Sequence, residues 1–349
     1  MADQPHSRAD DRVFIRRVLL ALGLATLFFL VWYLRSLLLM LFGAVVVATV
    51  FRAFADRIMK LTRWREGIAL TLSIVLILGS IGLFAALFGQ HIAQQADTLR
   101  DTLPRAWRSF EVRVGDIGLG DQLRQLVETV RQGSGSFSYL GSAILSVGNA
   151  IAEVLVVMFG GIFLASQPRF YKTGVIKLVP PGRRGLIAEA MDESETALRL
   201  WLKGQLIAMV VVGTVTGTAL WLLGLPSALV LGLLAGLLEF VPFIGPIAAA
   251  VPAILLALAV SPDLALWVAV IYVVVQQLEG YVLTPLVQQY AVDLPSVVLL
   301  FSLVGLGMLF GTLGVFLAAP LTVVIYVLVK RLYVIEALHT PTPIPGDKP

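Results

Sequence analysis

From Gly204 to Val329 the chain contains no lysine, arginine or histidine, and almost every residue in that stretch is apolar. Several runs here and upstream reach the ~20 consecutive apolar residues that cross the hydrocarbon of a bilayer. Composition points the same way. Hydrophobic residues make up 58% of the chain and charged residues 14%, against about 25% charged in a soluble domain. The expected fold is all-α: a polytopic transmembrane helical protein of about eight spans.

The polar breaks divide the chain as follows. Residues 1–17 form a polar N-terminal tail. Residues 18–90 hold spans 1 to 3, interrupted by "RAFADRIMKLTRWRE", which has five Lys/Arg against two acids. Residues 91–140 are polar, with six arginines balanced by six acids. Span 4 lies in 141–166 and a basic loop in 167–203. The C-terminal core, 204–329, contains two helix-plus-hairpin units, 201–260 and 264–329, and 330–349 is a tail. Positively charged loops stay on the cytoplasmic side. Both termini and the basic segments are therefore expected in the cytoplasm, with 91–140 outside as a helical region. Leu119, Leu123, Leu126 and Val130 give that region one apolar stripe.

A repeat is concealed in the core. "LPSALVLGLLAGLLEFVPFIGPIAAAVPAILLALAV", 225–260, aligns without gaps on "LPSVVLLFSLVGLGMLFGTLGVFLAAPLTVVIYVLV", 294–329, with eleven of 36 positions identical. One helix of that length would be roughly 54 Å long, well beyond a ~30 Å hydrocarbon core. Each copy is therefore expected to be a helical hairpin, re-entrant or fully spanning. The expected breaks lie at Pro242, Gly245 and Pro246 in the first and at Gly311, Gly314 and Pro320 in the second. One span separates the copies, so the units form an inverted repeat, an arrangement that recurs in secondary transporters.

The core keeps four acids without a base: Glu239, Asp263, Glu279 and Asp293. Asp263 and Asp293 stand at expected helix ends, in water. An isolated carboxylate in low dielectric must take a proton, hold a cation or find a basic partner. Glu239 and Glu279 are thus coupling or substrate candidates, with Gln276 and Gln277 beside the latter. Glu153 and Asn149 are a further pair on span 4. The competing reading makes these acids interfacial, capping helices or meeting loop cations. Gly213/Gly217, Gly232/Gly236 and Gly307/Gly311 have the spacing of close helix packing.

Other chemistry lacks support. With no cysteine and three scattered histidines, thiolate metal sites and thiol catalysis are excluded. There is no phosphate-binding glycine loop and no nucleophile–base pattern. The net charge of +4 belongs to membrane topology rather than to nucleic acid. No metal or cofactor is expected beyond H⁺ or Na⁺ as a coupling ion.

The motifs "LGLPSALVLGLLAGLLEFVPFIGP", "QQLEGYVLTPLVQQYAVDLPSVVLL" and "GTLGVFLAAPL" resemble the AI-2E family of bacterial membrane transporters over residues 12–335. Where many members carry Asn before an IP-like pair, this chain has Glu239 and "VP"; where many carry "HP", it has Leu294-Pro295. The resemblance implies a bacterial inner-membrane protein of about eight spans. It also implies a homo-oligomer, a pentamer among the forms, and export of a small solute. That solute would be a furanone-type signalling molecule of the autoinducer-2 kind, or Na⁺(Li⁺) in exchange for H⁺.

The expected function is a secondary transporter, with a passive oligomeric channel and a membrane scaffold as rivals. The topology is testable in this cysteine-free chain. A single cysteine placed in 91–140 is expected to react with an impermeant thiol reagent in intact cells, and one in 167–203 is not. Labelling in the reverse sense overturns the assignment.

Overall fold

A computed structural model describes residues 7–115, 138–283 and 294–342. The Leu119–Val130 stripe and Asp293 lie outside the described residues. The described chain is helical, with α1 at Ser7–Tyr33, α2 at Arg35–Thr62, α3 at Glu66–Gly115 and α4 at Ser138–Ser166. These are followed by α5 at Pro168–Lys177, α6 at Arg184–Leu222, α7 at Ala228–Leu238, α8 at Ile244–Val260, α9 at Pro262–Leu278 and α10 at Ser296–Val329. Five stretches are long and apolar enough to cross a bilayer, six if the bent α4–α5 pair counts as one span. The Arg17–Tyr33 part of α1, and α7 and α8, are apolar but shorter. Large side chains such as Phe28, Val210, Trp267 and Met308 are exposed, as lipid-facing positions are.

Both repeat copies are broken, as their length required. In the first, α7 ends at Leu238 and α8 begins at Ile244. In the second, Gly311 takes φ 66°, ψ −145° inside α10, a region open in practice only to glycine. Two halves result, α10a at 296–310 and α10b at 312–329. At Gly314 a Cβ would fall on the carbonyl oxygen of Leu306, and at Gly307 it would meet the side chain of Val315. Residues eight apart in a straight helix stand about 12 Å from each other, so the chain has doubled back. Gly245 plays the same part in the first hairpin, where a Cβ would strike the Leu238 carbonyl.

Four of the expected break residues, Gly245, Pro246, Gly314 and Pro320, turn out to be helical. Gly245 and Pro246 fall in the first turn of α8, where a missing N–H costs nothing because that donor has no partner within the helix. Pro320 continues α10b as a buried interior proline. Pro252 is likewise inside α8. One turn before it the Ala249 carbonyl accepts from Tyr272 Oη on α9 at 3.2 Å, which ties this part of α8 to α9.

Three apolar clusters hold the bundle together. Residues of α2, α6 and α10b, including Val46, Leu198, Trp201, Leu317 and Val323, form one. The end of α6 with α7, α8 and α9 forms another, around Leu220, Leu231, Ala257 and Val268. A third joins α2, α3 and α4 about Phe51, Ala69 and Ala165. The α9 start is set locally: Ser261 Oγ accepts from the Leu264 N–H at 3.1 Å, Pro262 opens the helix, and Asp263 sits exposed in its first turn.

The basic segment 167–203 is itself helical. α5 leaves α4 at 89°, with Pro168 starting the new helix. α6 continues the segment into the bundle. At 39 residues it is roughly 58 Å long, so only part of it fits in hydrocarbon. Its charged end is tied by ion pairs, Arg199 to Asp56 at 2.6 Å, Arg331 to Glu189, and Lys172 to Asp192. Nearby, Arg52 binds Glu66 at 2.7 Å and donates to the Ala165 carbonyl at 3.0 Å. The 52–66, 167–203 and 330–335 stretches therefore gather at one end of the bundle.

α6 and α7 pack backbone to backbone through Gly213, Gly217, Gly232 and Gly236. A Cβ on Gly232 would run into the Gly217 backbone and stand 2.8 Å from the Gly213 carbonyl. No flexible side chain is there to give way. Gly232→Ala is expected to cost about 2 kcal/mol or more by forcing the helices apart. Gly79→Ala, with nothing within 4 Å on α3, is expected to be neutral or slightly stabilising. Thermal unfolding of both variants in detergent separates the two outcomes.

Candidate functional site

The first hairpin turns over residues 239–243, and Glu239 opens the turn. Its residue is 1% exposed. The glycine seam holds α7 against α6, and Glu239 continues the α7 axis at helical dihedrals, φ −54°, ψ −21°, with its N–H on the Ala235 carbonyl at 3.0 Å. Its carboxyl lies within hydrogen-bonding reach of Glu279, 40 residues further along and at the end of α9. Oε2 of Glu239 is buried with no hydrogen-bond partner. Gln276 Nε2 donates to Glu279 Oε2 at 2.7 Å. From α6, Gln205 Nε2 donates to the Glu239 main-chain carbonyl at 2.6 Å.

The two acids differ in surroundings. Glu239 is dry, whereas Glu279 is half-buried and Gln276 exposed. Glu279 also begins a π-helical turn, Glu279–Leu283, a local widening of the helix that frequently accompanies functional sites. Residues 204–329 contain no base to neutralise either carboxylate. Such a pair is electrically complete only when a proton or a small cation joins it.

An aromatic stack adjoins the turn. Phe240 lies edge-on to Trp201 of α6, centroids 5.9 Å apart, and stacks on Phe316 of α10b at 4.4 Å. Phe316 is five residues past the Gly311 break, so the two hairpins meet at the residue that follows Glu239. Phe243 completes the turn at φ 66°, ψ −49°. The Ile244 N–H bonds the Pro242 carbonyl across it at 2.8 Å. This is a three-residue γ-turn of the rare positive-φ kind.

Among the residues singled out from sequence, Glu239, Glu279 and Gln276 come together. Gln277 is exposed and makes none of these bonds. Glu153 is half-buried on α4, which packs on α2 and α3, and no hydrogen bond or ion pair joins it to the carboxylates. The side chain of Asn149 lies outside the described residues. Gln205, Trp201, Phe240 and Phe316 were not singled out. Gln205 had a signal, as an amide standing alone at the start of a long apolar run.

Comparison with known proteins gives a consistent picture. The family described as "AI-2E family transporter" matches residues 19–333. YrrI of Bacillus subtilis (strain 168) is 29% identical over 189 residues, 53% of this chain and 54% of its own. YueF of the same organism is 26% identical over 283 residues, 75% of this chain and 76% of its own. The AI-2 transport protein TqsA of Escherichia coli (strain K12) is 22% identical over 286 residues, 78% of this chain and 80% of its own. The chain thus spans about half the length of YrrI and about three quarters of YueF.

The backbone at Phe243 yields a stability test. A side chain held at positive φ costs about 1–3 kcal/mol, and glycine removes that cost. Phe243→Gly is expected to be more stable than Phe243→Ala by about 1 kcal/mol, the reverse of their usual order in a helical protein. Paired melting curves in detergent check this, and Ala above Gly rejects the strain.

Proposed function

The chain belongs to the AI-2E transporter family, and on that premise we propose that it is a secondary transporter coupled by the Glu239–Glu279 pair. The pairing itself carries the reading: two acids 40 positions apart are brought within hydrogen-bonding reach, at a broken helix, in a stretch, 204–329, that contains no base. A proton or Na⁺ bridging the pair would satisfy both carboxylates, and its departure would leave two negative charges side by side, that of Glu239 buried. Solute movement tied to that exchange follows ordinary linkage, in which each ligand changes the other's affinity by the same factor. The single crossing of α9 between the hairpins supports an inverted arrangement, with the contact of Phe240 and Phe316 at its centre.

For the transported species we propose a small solute moved outward, of the autoinducer-2 kind, or Na⁺ against H⁺. The printed description of TqsA as an AI-2 transport protein supports the first. The bare carboxylate pair supports the second. A bacterial inner membrane and cytoplasmic termini belong to the same proposal, supported by the gathering of the basic segments at one end of the bundle.

The test is flux in proteoliposomes under an imposed pH gradient, wild type beside Glu239→Gln and Glu279→Gln. Glutamine keeps the shape and most hydrogen bonds but neither titrates nor holds a cation. Both variants are expected to fold and insert while gradient-driven transport falls on the order of tenfold or more, the size of an ordinary coupling free energy. Flux that ignores the gradient in wild type as well indicates a passive pore. Variants that keep full gradient dependence remove the pair from the mechanism.

A further inference from the structure

A cavity of about 640 Å³ opens between α2 and α6. On α6 it is bounded by Lys203, Leu206, Ile207 and Val210. At 3.6 residues per turn these share one face, and Gln205 points the other way, to Glu239. The cavity is therefore separate from the carboxylate site.

Its two ends differ in chemistry. Thr49, Val50, Val210 and Val211 make one end apolar. The other gathers Arg57, Lys60, Arg199 and Lys203 around one acid, Asp56. That acid is already taken: Arg199 donates to Asp56 at 2.6 Å and to Glu195 at 2.9 Å. Its Nε remains buried with no partner. Arg57, Lys60 and Lys203 are exposed, and no ion pair among the described residues engages them. Three cations at this end thus lack a counter-charge.

We propose that this slot binds an anionic phospholipid, its phosphate held by Arg57, Lys60 and Lys203 and an acyl chain lying in the cleft toward Val210. Dimensions agree with this. From Lys60 to Thr49 α2 rises about 16 Å, close to the depth of one leaflet, half of a ~30 Å core. Cations at the mouth alone would be ordinary topology signals, content with water. The apolar shaft continuous with them is what selects a ligand having both an anion and a chain. Basic pockets between membrane helices recognise lipid headgroups through the same charges.

The test uses the purified full chain in an uncharged detergent. Native mass spectrometry compares retention of phosphatidylglycerol with phosphatidylcholine of identical acyl chains. Wild type is expected to retain phosphatidylglycerol preferentially. Arg57→Gln, Lys60→Gln and Lys203→Gln are each expected to weaken that retention about fivefold, and the triple variant to abolish the preference. Val210→Trp fills the apolar end and leaves every charge, so it too is expected to lose the lipid; Leu206→Trp replaces it if the first variant does not fold. Glycerol phosphate, an anion without chains, is expected not to displace the bound lipid. The proposal is overturned if the triple variant keeps the preference or if the filled slot still binds. Displacement by glycerol phosphate, or a second copy of the chain closing the slot in lipid-free protein, overturns it equally.

Discussion

Lipid cannot hydrogen-bond a peptide group, so a helix interrupted among apolar spans must find every lost partner within the protein. The turn at 239–243 does so almost entirely by itself. Phe240 N–H reaches the Leu237 carbonyl at 3.3 Å and Val241 N–H the Leu238 carbonyl at 3.0 Å. Ile244 and Gly245 N–H bond the Pro242 and Val241 carbonyls, both at 2.8 Å. Pro242 and Pro246 have no N–H to satisfy. The Glu239 carbonyl, facing α6, is taken by Gln205. Much of the C-terminal half follows from this closure. α6 has to pass beside the turn to supply the amide, and α7 has to lie close enough to α6 for the bond to form. Small residues along their seam permit that approach. The Glu239 side chain is then carried to Glu279.

The hairpins were legible because a 36-residue apolar segment does not fit a bilayer straight, whatever its tertiary context. The acids were legible because a charge in that setting is costly and stands out. Sequence patterning placed the first break slightly too far along, treating Gly245 and Pro246 as breakers when a first helical turn accepts both. It treated Pro320 as a breaker although buried neighbours hold that helix together. The aromatic stack was hidden for a different reason. Trp201, Phe240 and Phe316 are ordinary residues in apolar runs, and only the folded chain brings them together. No local spacing encodes a contact across 76 residues, such as that of Phe240 with Phe316. The pairing of Glu239 with Glu279 is equally non-local, although each member was visible alone.

Charge and dryness occupy different parts of the molecule. Ion pairs tie α2, α5, α6 and the residues after α10 at one end, where they are partly exposed. Pairs of that kind contribute little each, about 0–1 kcal/mol. Their use is to fix the register of the ends of long helices that otherwise touch through smooth apolar surfaces. The carboxylate pair lies beyond the last lysine of α6, Lys203, in the stretch that has no base at all. In the proposed mechanism a coupling cation at the pair would meet no lysine, arginine or histidine of residues 204–329.

The glycine seam divides what can move from what cannot. Where side chains interdigitate, two helices can exchange rotamers and settle in a second arrangement. Where one backbone rests on another, as Gly213 and Gly217 rest on Gly232 and Gly236, there are no rotamers to exchange. α6 and the entering arm of the first hairpin therefore travel as a single rigid piece, with the Gln205 bond as a further pin. The opposite contact, Phe240 on Phe316, is made by two flat rings 25° from parallel, side chains rather than backbone. In the proposed transporter, any displacement of the first hairpin against α10b would carry α6 with it and would have to remake the cluster of Trp201 and Leu198 with Leu317 and Val323.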